Sequence, residues 1–155
     1  MVAALKVNDT IVSSSKIREL LKEGEVEKAS TLLGKDYPVI GRVIEGVKRG
    51  HLLGFPTANL EISDELYPKP GVYAVGVEWH HKLFHGVANI GFNPTFDPKV
   101  FSFEVFILNF DRNIYGDEIQ VSFRRRIRDE IRFSSPSDLI DQIKRDVEWA
   151  KDHVF

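Results

Sequence analysis

The sequence predicts a mostly β fold, an antiparallel barrel or sandwich with helices at both ends, and three observations carry this. Beyond about residue 37 the chain becomes short runs rich in Val, Ile, Phe and Tyr, interrupted by Gly, Pro and Asp. Those runs are closely spaced, as neighbouring antiparallel strands are. The two ends instead repeat apolar residues at helical spacing. The 155 residues suit one domain with a real core, and 43% apolar content with 11 Phe excludes a disordered chain.

The elements follow in order. Ile17, Leu20 and Leu21 fall at i, i+3, i+4, and Ser13 to Ser15 offer N-caps, which predicts a first helix. A second short helix is predicted over Val26 to Leu33, with Gly34 as its stop. Tyr37-Pro38 marks the handover, so the chain divides into a helical lead-in, 1–36, and a β region, 37–155. Strands are predicted over Val39–Ile44, Val72–Trp79, Leu83–Ile90, Phe101–Phe110 and Ile119–Ile127, with a further extended piece at Thr57–Ile62. His80-His81 reads as a tight hairpin turn without the usual glycine. A final helix starts at Ser135 as N-cap and Pro136 in the first turn, with Asp138 facing the helix dipole. Leu139, Ile140, Ile143, Val147 and Ala150 form its apolar stripe, which packs on the barrel.

Composition excludes several classes. With 21 basic and 23 acidic residues the formal charge is −2, so global charge does not mark a nucleic-acid or membrane-surface binder. Without cysteine there is no disulfide, thiolate metal site or thiol nucleophile. No signal-peptide pattern and no apolar run of membrane-spanning length appear, so a soluble cytoplasmic protein is expected.

The chemistry concentrates in two stretches. Gly46-Val47-Lys48-Arg49-Gly50-His51 combines glycines, which let backbone approach a phosphate chain, with bases that neutralise it. The same pattern describes a basic hairpin tip. Gly54-Phe55-Pro56-Thr57-Ala58-Asn59 follows. If extended, it points the Thr57 hydroxyl and the Asn59 amide oxygen to one side. Neither side chain is charged, so a magnesium ion there needs a phosphate ligand. Walker and dinucleotide fingerprints are both missing from the sequence. The second stretch is Phe101 to Leu108. One face carries Phe101, Phe103, Val105 and Ile107, and the other Ser102, Glu104, Phe106 and Leu108. Glu104 is either a partly desolvated carboxylate suited to general-base work or an ordinary solvent-facing glutamate. Arg124-Arg125-Arg126-Ile127-Arg128 reads as a strand end split between two faces rather than an RNA site. The five histidines show no metal-ligand spacing. Ser13 to Arg18 reads as helix capping in preference to anion binding.

Together these segments resemble the riboflavin kinase family, in particular the C-terminal kinase module of bacterial bifunctional FAD synthetases. The carrying residues are Gly41-Arg42-Val43, Gly46 to Gly50, Leu53 to Leu60 with its Pro-Thr-Ala-Asn, Pro70 to Ala74, Gly86 to Phe96, Glu104-Val105, Tyr115-Gly116, Arg128-Asp129-Glu130 and Phe133. The match runs in order over about residues 37 to 152.

The resemblance implies a six-stranded antiparallel Greek-key barrel with a C-terminal helix and a short helical lead-in. It implies transfer of the ATP γ-phosphoryl group to the 5′-hydroxyl of riboflavin, giving FMN and ADP. It assigns Glu104 as catalytic base and Thr57 with Asn59 as the Mg2+ pair. Gly41, Gly46, Lys48, Arg49, Gly50, His51, Pro56 and Thr57 become nucleotide-side residues, and Arg128, Asp129, Glu130 and Phe133 flavin-side residues. The loop over the phosphates is expected to order on nucleotide binding. The sequence departs from the family at His51, where many members have Arg or Lys, and at Phe106, where a polar residue is common. Val12 to Lys35 resembles the tail of the adenylyltransferase module to which such kinases are fused. The sequence shows no His-x-Gly-His element, so FAD formation is not expected. The expected partners are the small molecules riboflavin, ATP, FMN and ADP, with no nucleic acid and no membrane. A non-catalytic flavin-binding barrel is the alternative, and a nucleic-acid-binding barrel a more distant one.

Overall fold

The computed structural model describes residues 5–45, 57–63, 66–93 and 100–155. Ser13 caps the first helix, α1 (Ser14–Lys22), by accepting from the Lys16 amide at 3.1 Å. That accounts for the serine cluster as a helix start. The second helix, α2 (Val26–Leu33), has the predicted bounds, and Gly34 closes it at φ 75°, a left-handed conformation that suits glycine. A small hairpin that the sequence reading did not anticipate precedes them: β1 (Lys6–Val7) and β2 (Thr10–Ile11), joined through Asn8 and Asp9 at φ 51° and 63°.

The remaining strands are β3 (Tyr37–Ile44), β4 (Thr57–Ile62), β5 (Gly71–Trp79), β6 (Lys82–Asn93), β7 (Val100–Ile107) and β8 (Glu118–Arg128). They close into an antiparallel barrel in the order β3-β4-β7-β6-β5-β8. β5, β6 and β7 are sequential neighbours and β8 returns beside β5, which is the Greek-key arrangement. Closure leaves no free sheet edge among these strands.

Differences at strand ends have local causes. β7 stops at Ile107, short of the predicted Phe110, because Asn109 turns into the left-handed region at φ 54°. β6 runs past Ile90 through Gly91, since the empty face of that glycine is filled from elsewhere in the fold. His80 and His81 do form the two-residue turn between Trp79 and Lys82, at φ 49° and 62°. Positive φ at both central residues gives the twist that a hairpin needs.

Alternation fills the barrel. Val39, Val43, Leu60, Val75, Val77, Ala88, Ile90, Phe103, Val105, Val121 and Phe123 point inward and are buried. Leu20, Leu21, Val26, Ala29 and Leu32 of the two N-terminal helices belong to the same core cluster. The helical lead-in therefore docks on the barrel. A second apolar cluster lies on the outer surface, where Val147 and Ala150 of the last helix, α3 (Pro136–His153), meet Val72, Ala74 and Val87.

The arginine run is tied down on every side. Two bulges against β5 break its alternation. Arg124 reaches Asp36 at 3.6 Å, and Arg125 reaches Glu27 at 3.0 Å. Arg126 donates to Tyr73, Lys69, Pro70 and Asp129. Arg128 grips Asp146 of α3. The four guanidiniums join barrel to helices and loops. Among the described residues, no helix is long and apolar enough to cross a membrane.

Candidate active site

Sheet register assembles the site. Asn59 of β4 lies directly opposite Glu104 of β7, and Glu104 lies directly opposite Asn89 of β6. Thr57 stands opposite Phe106, one step along the same outer face. Ala58 and Val105, the alternate residues, are buried inside the barrel. Thr57, Asn59 and Glu104 are thus outward-facing and half-buried. The rung continues as Ile44–Asn59–Glu104–Asn89–Val72–Arg128 across all six strands. The next rung carries Phe106, Val87 and Ala74, which belong to the apolar patch roofed by α3. Glu104 therefore stands at the margin of a greasy surface, with an amide-bearing side chain on each side.

The segment after β8, which the resemblance assigns to the flavin side, returns to this face. Gly91 is two residues beyond Asn89, on the same side of β6. A Cβ on Gly91 would collide with the Glu130 carboxyl, so that carboxyl lies directly over the glycine. Much of Glu130 remains in solvent, yet its carboxyl end is partly covered. Burial raises its pKa, and the Arg128 charge pulls in the opposite direction. Asp129 points elsewhere. Hydrogen bonding from Arg126, then the Arg126 charge and then Lys69, lowers its pKa.

Arg128 is heavily engaged. Its Nε donates to both Asp146 oxygens at 3.0 and 3.2 Å, and Nη2 donates to Oδ2 at 2.8 Å. Nη1 donates to the Asp129 carbonyl at 2.9 Å. Gln142 adds a donor to Asp146 at 2.9 Å. The Phe133 ring lies 6.0 Å from the guanidinium carbon. Arg128 and Phe133 thus shape the corner that carries Glu130. Asp146, only 3% exposed, was missed in the sequence. Its signal was present: it falls three residues after Ile143 and four before Ala150, a carboxylate inside an apolar stripe.

Gly41 lies apart from this group. It pairs with Ile62 on the inward face of β3, where a Cβ would press on Ile62, Glu61 and Leu60 at 3.0–3.3 Å. Packing alone accounts for a glycine there. Gly46, Lys48, Arg49, Gly50, His51 and Pro56 lie outside the described residues. Asn89 was not singled out in the sequence, although an Asn in a strand interior is itself a signal, because strands are poor in Asn.

An outward carboxylate between two amide side chains on a closed β-barrel makes this rung the candidate site. The family model for riboflavin kinase (flavokinase) matches residues 33–154, and the chain belongs to that family. A bifunctional riboflavin kinase/FMN adenylyltransferase of Haemophilus influenzae is 45% identical over 90% of this chain and 46% of its own length. The Bacillus subtilis protein of the same description is 42% identical over 97% of this chain and 49% of its own. The chain spans about half the length of these curated relatives. A crystal structure from Streptococcus pneumoniae, described as a macrolide-efflux protein, superposes with a TM-score of 0.90. It is 39% identical and covers 97% of this chain and 50% of its own.

Proposed function

We propose that this chain phosphorylates riboflavin at its 5′-hydroxyl with ATP, yielding FMN and ADP. The observation that carries the reading is the rung in which Glu104 faces outward beside Asn59, one step from Thr57. The alcohol oxygen attacks the γ-phosphorus, the bond to the β–γ bridging oxygen breaks, and ADP leaves. The hydroxyl proton passes to the Glu104 carboxylate. Thr57 and Asn59 would hold Mg2+ through a hydroxyl and an amide oxygen, a neutral hard-oxygen pair that suits an ion already carried by phosphate. Bound magnesium would neutralise charge on the transferring phosphates. Lys48 and Arg49, with the amides of Gly46, Gly50 and His51, would add positive charge from the glycine-rich loop, and Pro56 would border it. Glu130 and Phe133, braced by Arg128, would contact the flavin, and Asp129, held by Arg126, would fix the segment from its other side.

Residues 1–36 fit the reading as the tail of an adenylyltransferase module, with 37–155 as the kinase barrel. The relatives' bifunctional description supports native fusion to an FMN adenylyltransferase module, and a cytoplasmic location is part of the same reading. A merely flavin-binding barrel would have no need for the Thr57–Asn59 pair beside a carboxylate. Mixing the protein with riboflavin, ATP and magnesium, then separating the flavins by chromatography, tests the proposal. FMN in step with ADP is expected. Riboflavin that binds but stays unphosphorylated would leave only the binding reading.

A further inference from the structure

We propose that Asp146 of α3 is a positioning residue for riboflavin: through Arg128 it holds the segment between β8 and α3 in the shape that receives the flavin. The inference rests on the flavin-side role proposed for Glu130 and Phe133 and extends it into the helix. The segment runs from Asp129 to Ser135 without helix or strand, and Asp129, Glu130, Ile131 and Arg132 are exposed. A stretch with so little apolar burial takes its shape from its ends. Arg128 is the last residue of β8 and Asp146 lies in α3, so their pair ties the strand before the segment to the helix after it. Nε and Nη2 of Arg128 both go to the Asp146 carboxylate, while Nη1 reaches the Asp129 carbonyl, inside the segment, at 2.9 Å. The Phe133 ring lies 6.0 Å from the same guanidinium. Gln142, one helical turn before Asp146, holds the carboxylate from its own helix at 2.9 Å.

Stability alone is a poor reason for this carboxylate. Asp146 is 3% exposed and interrupts the apolar stripe of Ile143, Val147 and Ala150. Apolar side chains of similar volume often match a buried ion pair in stability. They do not reproduce its direction. Two parallel bonds from a carboxylate fix the plane of a guanidinium. That plane sets where Nη1 points and which surface is offered to Phe133. A segment shaped before its ligand arrives loses less freedom on binding.

The test measures riboflavin binding by quenching of its fluorescence, without ATP, with steady-state FMN formation beside it. It compares the native chain, Asp146→Asn, Phe133→Ala and the double variant. Asp146→Asn keeps the size of the side chain and removes its charge. Its Kd and KM for riboflavin are expected to rise about tenfold, the equivalent of one hydrogen bond to a charged group. KM for ATP should hold. In the Phe133→Ala background the same change should cost much less, because both residues act on one corner. A native Kd for riboflavin in Asp146→Asn would overturn the inference. So would an undiminished loss in the double variant, or an equal rise in KM for ATP, which marks general damage. Should Asp146→Asn fail to fold, Gln142→Ala takes its place, since it removes a donor to the carboxylate and leaves the ion pair. A smaller rise in Kd for riboflavin is then expected at unchanged KM for ATP, and no rise would overturn the inference. Binding is read without ATP, so a native chain that binds riboflavin yet does not phosphorylate it overturns the kinase reading alone. A native chain that does not bind riboflavin overturns both.

Discussion

Glu130 shows how one side chain can be fixed by an absence elsewhere. Its carboxyl occupies the space that any side chain on residue 91 would fill. Burial raises its pKa there, with Arg128 opposing. A carboxyl that holds its proton more tightly when folded leaves stability intact below its ordinary pKa. That stability is lost as pH rises above the ordinary glutamate range and through the raised value. Melting temperatures of the native protein and Glu130→Gln at pH 4 and pH 7 check this. The variant should gain on the native protein between the two pH values, and a constant gap would contradict it. Glu104 differs, because Asn59 and Asn89 are placed beside it by sheet register.

At the scale of elements, α3 is joined to the barrel by two contacts of different kind. Val147 and Ala150 cover the outer patch of β5 and β6. The Arg128–Asp146 pair fixes the helix to the end of β8, with side chains 16% and 4% exposed. Removing one member leaves the other charge desolvated and under-paired. Arg128→Ala should therefore cost about 3 kcal/mol of stability in denaturant unfolding. A loss below about 0.5 kcal/mol, as at exposed pairs, would show that water reaches Asp146 freely.

The elements themselves were legible to different degrees. Thr57–Ile62 and Val26–Leu33 appear with their predicted bounds, because alternation, helical spacing and Gly34 are local signals. The end of β6 was not legible, since Gly91 reads as a breaker until Glu130 is known to lie over it. The left-handed turn at Asn109 that shortens β7 was equally hidden. The site divides in the same way. Thr57, Asn59 and Glu104 were visible as residue types in a pattern. The rung that joins Asn59, Glu104 and Asn89, with Thr57 one step away, depends on which strands become neighbours, and that is a property of the closed barrel. The engagement of Arg128 by Asp146 is likewise tertiary.

In the whole molecule, the helical lead-in and the barrel share one core. Leu20, Leu21, Val26 and Leu32 are buried in it, and Lys69 donates its amide to the Leu21 carbonyl at 2.9 Å. Burying four such side chains contributes roughly 6–12 kcal/mol. A domain's entire net stability is about 5–15 kcal/mol. A barrel beginning at residue 37 should consequently lose its cooperative thermal transition, which circular dichroism would show. Retention of the native melting temperature would mean that the helices add nothing. The barrel also explains why the candidate site lies on an outer surface. Inward positions are filled by apolar side chains, which leaves polar groups to the outward residues of β4, β6 and β7, with α3 covering one flank.

One comparison bears on the whole account most directly: the rate of FMN formation by the native protein and by Glu104→Gln, each saturated with riboflavin and magnesium-ATP. The native chain should turn over, and the variant should bind both substrates yet work about 10²–10⁴-fold more slowly. A variant that keeps the native rate would contradict the placement of proton transfer at this outward carboxylate.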